Sequence, residues 1–185
     1  MKKQFYIISH THWDREWYMS FEQHRMRLVE LMDSLIEKME HDERYCYFHL
    51  DGQTIIIEDY LEICPHMRER LFALIKAGRI QVGPWYVLQD EYLTSGEANV
   101  RNMSEGLRFC KENGVEPVKS GYMPDAFGNI AQLLQILDGF NIDNAVFGRG
   151  IGQILADNTV ATTGEAQGKE LIWYGADGTH IMGIM

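Results

Sequence analysis

His10, His12 and Asp14 put two imidazoles and a carboxylate into five consecutive positions. Side chains of an extended backbone alternate with period two, so all three share one face if the strand geometry continues through them. An imidazole nitrogen and a carboxylate oxygen at that spacing can grip a single divalent cation. Zinc takes both donors readily, and catalytic zinc sites keep a coordination position open for substrate. Far along the chain, Asp125 stands between Pro124, which restricts the turn leading into it, and Gly128, which allows close backbone approach. Its carboxylate can ligate a metal, attack an anomeric carbon, or cap the helix that follows. Asp51-Gly52 reads as a turn or a substrate contact, and Asp90-Glu91 as acid/base candidates or a solvated pair. Trp17 and Trp85 can stack on a sugar ring or serve the core, and the nearness of Trp17 to the histidine cluster favours the site.

The elements that must hold these groups follow from periodicity. The apolar run 5–8 reads as a buried strand ending in the polar cluster. Residues 21–40 carry Met26, Val29, Met32, Leu35, Ile36 and Met39 at helical spacing. A second strand is expected over 45–50, then helices over about 55–63 and 66–77, parted near Pro65 and stopped at Gly78. A third strand over 79–83 leads to Trp85, Asp90 and Glu91. Ser95-Gly96-Glu97 opens a helix to about 112, and a fourth strand over 118–122 leads to Asp125. A helix over about 129–138 precedes a fifth strand over 144–147 that leads to Arg149. Residues 150–170 read as a long functional loop. Residues 171–174 and 180–185 then form a hairpin turned at Ala176-Asp177-Gly178. Alternating strands and helices mean an α/β fold with a mainly parallel sheet. The candidate groups all follow strand ends, the edge at which such sheets bind ligands. Too few strands are present to close a barrel, so the chain reads as part of a domain.

Composition narrows the function classes. The chain has 185 residues, 45% hydrophobic and 24% charged, an ordinary globular balance. Its formal net charge of −10 argues against a nucleic-acid partner and against docking on anionic lipid, and leaves a neutral sugar open. Cys46, Cys64 and Cys110 are widely spaced and form no CxxC pair, which fits buried, reduced thiols in a cytoplasmic protein. The amino-terminal apolar run is too short for a signal peptide, and no stretch has the roughly 18 apolar residues needed to span a membrane.

His10-Thr-His12-Trp-Asp14-Arg-Glu-Trp17-Tyr18 resembles the amino-terminal signature of glycoside hydrolase family 38, the retaining α-mannosidases, and of its bacterial members in particular. Met123-Pro-Asp125-Ala-Phe-Gly128 resembles the family's second signature. The block from Trp85 through Asp90-Glu91 to Ser95-Gly96-Glu97 resembles the segment between them. The resemblance spans essentially the whole chain. It implies an incomplete seven-stranded α/β barrel, with residues 1–185 as the amino-terminal portion of the catalytic domain. It implies one zinc ion on His12, Asp14 and Asp125, with Asp125 also the nucleophile and His10 in support of the ligands. Trp17 would carry the mannose ring; Trp85 and Asp90, after the third expected strand, are read from their own positions as further substrate contacts. Arg149 would help hold Asp125 ionised. The implied substrate is a mannose-containing oligosaccharide or mannoside, mannosylglycerate included, and a homo-oligomer stays open.

The family's fourth zinc ligand and its general acid are expected beyond residue 185, because His180 comes too early and lies in an expected strand. Alone, the chain is therefore expected to be inactive. Two rivals remain. One is an amidohydrolase-like metal hydrolase, which usually draws more histidines from later strand ends. The other is a non-catalytic carbohydrate-binding domain.

Overall fold

The computed structural model describes residues 4–150 and 170–185. The chain divides into two compact units, Met1–Val87 with Glu105–Val118, and Leu88–Ser104 with Lys119–Met185. The expected loop at 150–170 lies almost wholly outside the described residues.

The first unit is built on a parallel sheet of β1 (Ser9–His10), β2 (Phe48–His49) and β3 (Ile80–Gln81), in that order. Helix α1 (Phe21–His41) follows β1, and α2 (Ile55–Ile63) and α3 (Arg68–Lys76) follow β2, joined by a 3-10 turn at Pro65–Met67. At the start of α1, Gln23 Oε1 accepts the Ser20 N–H at 3.1 Å, satisfying a donor that the helix leaves free. The buried stripe of α1 is Leu28, Met32, Leu35, Ile36 and Met39. These side chains meet Ile56, Tyr60, Leu71, Ile80 and Val82 in one core, each such burial worth about 1.5–3 kcal/mol. Met26, read as part of that stripe, is exposed because the buried face begins two residues later.

In the second unit the sheet order is β4-β5-β7-β6, from β4 (Gly121–Met123), β5 (Asn144–Phe147), β6 (Glu170–Tyr174) and β7 (His180–Ile184). β4, β5 and β7 are parallel, and β6 returns antiparallel to β7. The hairpin turns where expected, with Asp177 accepting the Thr179 N–H at 3.0 Å and its hydroxyl at 2.7 Å. Helix α5 (Leu133–Gly139) buries Leu133, Leu134 and Leu137. Gly121 is needed where β4 passes α5, since a Cβ there would stand 2.7 Å from Leu137. Helix α4 (Gly96–Glu112) runs from one unit into the other, and the Ser95 hydroxyl accepts the Ala98 N–H at 3.1 Å.

The α/β class and the parallel bias hold, but as two sheets, and the described residues form no closed barrel. Several boundaries shift. The largest correction is the first strand, which is Ser9–His10 instead of 5–8. Phe5, Tyr6, Ile7 and Ile8 are 63–93% exposed, because the ladder to β2 begins only at Ser9. An apolar run is buried only where another element faces it. The strands over 45–50 and 79–83 contract to residue pairs, and the one at 118–122 moves to Gly121–Met123. The helix expected from 129 begins at Leu133. Of the thiols, Cys64 and Cys110 are buried, and burial pushes the Cys110 group up to about 11. Cys46 is exposed, contrary to expectation, because it sits ahead of β2 rather than inside it.

Candidate active site

In the first unit, residues 11–19 leave β1 as a loop held from below by the end of β2. The anchor is Asp51, fully buried at φ 52. Aspartate tolerates that left-handed backbone better than most residues, and Gly52 follows at φ 66. The turn aims the carboxylate back under the loop. Asp51 Oδ2 accepts the Trp13 N–H at 2.6 Å and a Gln53 amide N–H at 2.7 Å. Gln53 Nε2 also donates to the Trp13 carbonyl at 2.9 Å. Both backbone groups of Trp13, the residue between His12 and Asp14, are thereby fixed.

Asp51 Oδ1 lies 3.3 Å from His12 Nδ1. A carboxylate there favours the tautomer with the proton on Nδ1, the usual way a carboxylate orients a metal-binding histidine. His12 Nε2 then turns to Asp14 Oδ1, 3.4 Å away. Two ligands of a tetrahedral ion, each at about 2.0–2.2 Å, stand roughly 3.3–3.5 Å apart. The donor pair therefore fits two positions of one cation. Arg15 adds a second tether, with Nε 2.6 Å and Nη2 2.8 Å from the two carboxylate oxygens of Asp59 on α2 and its guanidinium 4.8 Å from the Phe21 ring centre. Trp17 is 62% exposed, edge-on to Tyr18. His10 is exposed, its Nδ1 3.4 Å from the Thr11 carbonyl.

Beside His10 in register, His49 is buried. Burial first, and the His10 charge second, push its imidazole down to about 4. The unfolded chain, with an ordinary histidine value near 6.5, takes the proton first on acidification. The stability this withholds is intact above pH 6.5 and is lost as pH falls toward 4, by roughly 3 kcal/mol. Urea midpoints of the protein and of its His49→Gln variant should therefore converge between pH 7 and pH 5. A constant gap would contradict a neutral, buried His49.

The structure puts Trp85 on the core side of its two readings. It is fully buried, bridges Gln53 through the backbone, and its Nε1–H meets no acceptor among the described residues. Its backbone supports the Asp51 turn, accepting Thr54 N–H at 3.0 Å and donating to the Gly52 carbonyl at 3.1 Å.

Asp125 belongs to the second unit. It does not cap α5, whose N-cap position is Gln132. Its carboxylate faces Arg149 Nη2 at 2.5 Å, and Arg149 also donates to the Asp125 carbonyl at 3.2 and 3.3 Å. The guanidinium stacks 4.1 Å from the Phe127 ring centre. A Cβ on Gly148 would collide with the Pro124 carbonyl, so β5 approaches this loop as only glycine permits. Asp90 serves a turn, its carbonyl accepting Leu93 N–H at 3.0 Å and the Thr94 hydroxyl at 3.3 Å. Glu91 is buried, and burial pushes its carboxyl up to about 7. Glu91 Oε2 accepts the Ile130 N–H at 2.8 Å.

Each cluster lies within one unit, His12 with Asp14 and Asp51, and Asp125 with Arg149. Among the described residues no three histidine, cysteine, aspartate or glutamate side chains form a metal-sized group. Glu91 was read only beside Asp90, as an acid/base candidate or a solvated pair, and Asp51 and Gln53 as holders of the histidine loop, with Arg15 and Asp59, went unread in the sequence. Only the Asp-Gly turn signal marked one of them.

The model for the glycosyl hydrolases family 38 N-terminal domain matches residues 2–185. The chain belongs to glycosyl hydrolase family 38. It is 46% identical over its full length to a protein of Halalkalibacterium halodurans named "Putative mannosylglycerate hydrolase", covering 21% of that protein. It is 25% identical to alpha-mannosidase G of Dictyostelium discoideum, over 96% of the chain and 16% of the relative. The crystal structure of an alpha-mannosidase from Enterococcus faecalis superimposes with a TM-score of 0.85 at 44% identity, over 96% of this chain and 19% of that one. The family 38 chain thus spans about a fifth of these bacterial relatives. No helix among its described residues is long and apolar enough to cross a membrane.

Proposed function

We propose that this family 38 chain supplies the nucleophile and part of the metal site of a zinc-assisted, retaining α-mannosidase. On this reading residues 1–185 are the amino-terminal portion of the catalytic α/β domain, an incomplete seven-stranded barrel. The observation that carries it is His12 Nε2 held 3.4 Å from Asp14 Oδ1 by the Asp51 contact on the opposite ring nitrogen. The reading assigns His12, Asp14 and Asp125 to one cation. A bound zinc would supply Lewis-acid contacts to the mannose 2- and 3-hydroxyls.

This chain's own residues supply the sugar contact and the nucleophile. The exposed indole of Trp17 offers a face for the sugar ring. A carboxylate oxygen of Asp125 bonds the anomeric carbon as the glycosidic C–O bond breaks, and a second carboxylic acid gives its proton to the departing oxygen. That acid then takes a proton from water, which displaces Asp125 and restores it. Arg149, bonded to both carboxylate and carbonyl of Asp125, orients the attacking group. The substrate is an α-mannoside, and the 46% identity to a protein named for mannosylglycerate makes that compound the first to assay beside a mannobiose.

The full-length protein should release p-nitrophenol from p-nitrophenyl α-mannoside, lose that activity to a chelator and regain it with zinc. Activity on an amide or phosphoester instead would sink the reading in favour of an amidohydrolase-like enzyme.

A further inference from the structure

The Asp125 loop is fastened at its start by its own sheet, since Gly148 donates to the Met123 carbonyl at 3.0 Å and Arg149 grips the Asp125 backbone. Its far end is fastened by a different segment. Glu91 Oε2 accepts the Ile130 N–H at 2.8 Å, and the Tyr92 ring fills the space that a Gly128 side chain would need. Between them, Asn129 Nδ2 donates to the Arg149 carbonyl at 3.1 Å, and the Asn129 N–H to Gly150 at 3.3 Å. Glu91 is 1% exposed, and its second oxygen meets no hydrogen-bond donor among the described residues. Burying a carboxyl for a single hydrogen bond is costly for the fold. That cost points to a role in placement.

We propose that Glu91, with Tyr92 against Gly128, is a positioning residue that sets where the Asp125 loop presents its carboxylate. The inference rests on Asp125 being the nucleophile. Attack needs the reacting atoms about 3–3.5 Å apart and aligned, and an error of about 1 Å can cost roughly 10²-fold in rate. The hydrogen bond asks only for an oxygen acceptor, so an amide oxygen at the same place serves as well as a carboxyl.

The test uses the full-length protein and an aryl mannoside with a good leaving group, for which formation of the glycosyl-enzyme needs no proton donor. Glu91→Ala should lower kcat by roughly 10²-fold with KM changed less than about threefold, and should slow labelling of Asp125 by a fluorosugar in parallel. Glu91→Gln should restore kcat to within about fivefold. Gly128→Ala, which drives a methyl into Tyr92 while leaving Glu91 in place, should lower kcat in the same manner. If Glu91→Ala does not fold, Gly128→Ala decides: a kcat fall at steady KM supports the proposal, and an unchanged kcat overturns it. A folded Glu91→Ala with unchanged kcat, or a Glu91→Gln as impaired as Glu91→Ala, also overturns it. Asp125→Asn in the same assay separates the two readings. If it retains turnover, the nucleophile assignment fails. If it is inactive while Glu91→Ala is normal, only the positioning role fails.

Discussion

Asp125→Asn in the full-length protein should lower turnover of p-nitrophenyl α-mannoside by roughly 10³-fold or more and abolish covalent labelling by a fluorosugar. The substitution keeps shape and removes charge and nucleophilicity. The loop should survive it, because Arg149 donates to the Asp125 carbonyl at 3.2 and 3.3 Å and Asn129 donates to the Arg149 carbonyl, neither bond using the Asp125 side chain. A merely structural Asp125 predicts a different result, a lower unfolding midpoint with turnover nearly intact. A carbohydrate-binding domain without catalysis predicts no change in sugar binding. Loss of labelling with the midpoint held within a few degrees fits only the nucleophile. Retained turnover rejects it.

Asp51→Asn should weaken zinc binding by about 10- to 100-fold, read by competition against a chromophoric chelator on the full-length protein. The native carboxylate faces three nitrogens: Trp13 N, Gln53 Nε2 and His12 Nδ1. An asparagine keeps one acceptor oxygen and turns an NH₂ toward at least one of these donors. If the oxygen stays with Trp13 and Gln53, the NH₂ faces His12 Nδ1 and favours the tautomer with the proton on Nε2, the nitrogen that faces Asp14. If it turns to His12, a buried backbone N–H loses its partner at about 1–3 kcal/mol. Either way the metal-binding lone pair or the loop is compromised. Metal affinity equal to the parent protein's would show that Asp51 only closes a turn.

Much of this architecture is legible locally. The stripe of Met32, Leu35, Ile36 and Met39 predicts α1, and Leu133, Leu134 and Leu137 predict α5, because a helix repeats its buried face every three to four residues regardless of what covers it. The Asp177-Gly178 turn and the β6–β7 hairpin follow from residues a few positions apart. Burial is less legible. Residues 5–8 and Trp85 are equally apolar on the page, yet Ile7 is 93% exposed and Trp85 is fully buried. Hydrophobicity states a preference, and the partner that satisfies it lies elsewhere in the chain.

The same division runs through the candidate site. The residue types and spacing of His10, His12 and Asp14, and the turn around Asp125, are by themselves enough to raise a metal-binding pair, a carboxylate nucleophile and a resemblance to family 38. Which atoms do what was decided only by tertiary structure. Asp51 reaches His12 across 39 positions, Glu91 reaches Ile130 across another 39, and Arg149 reaches Asp125 across 24. Strand register fixes the first and third of these contacts, and loop closure the second. Neither leaves a periodic trace, so a turn-forming aspartate and a loop glutamate gave no sign of these partners until the fold set one behind a histidine and the other against the Asp125 loop.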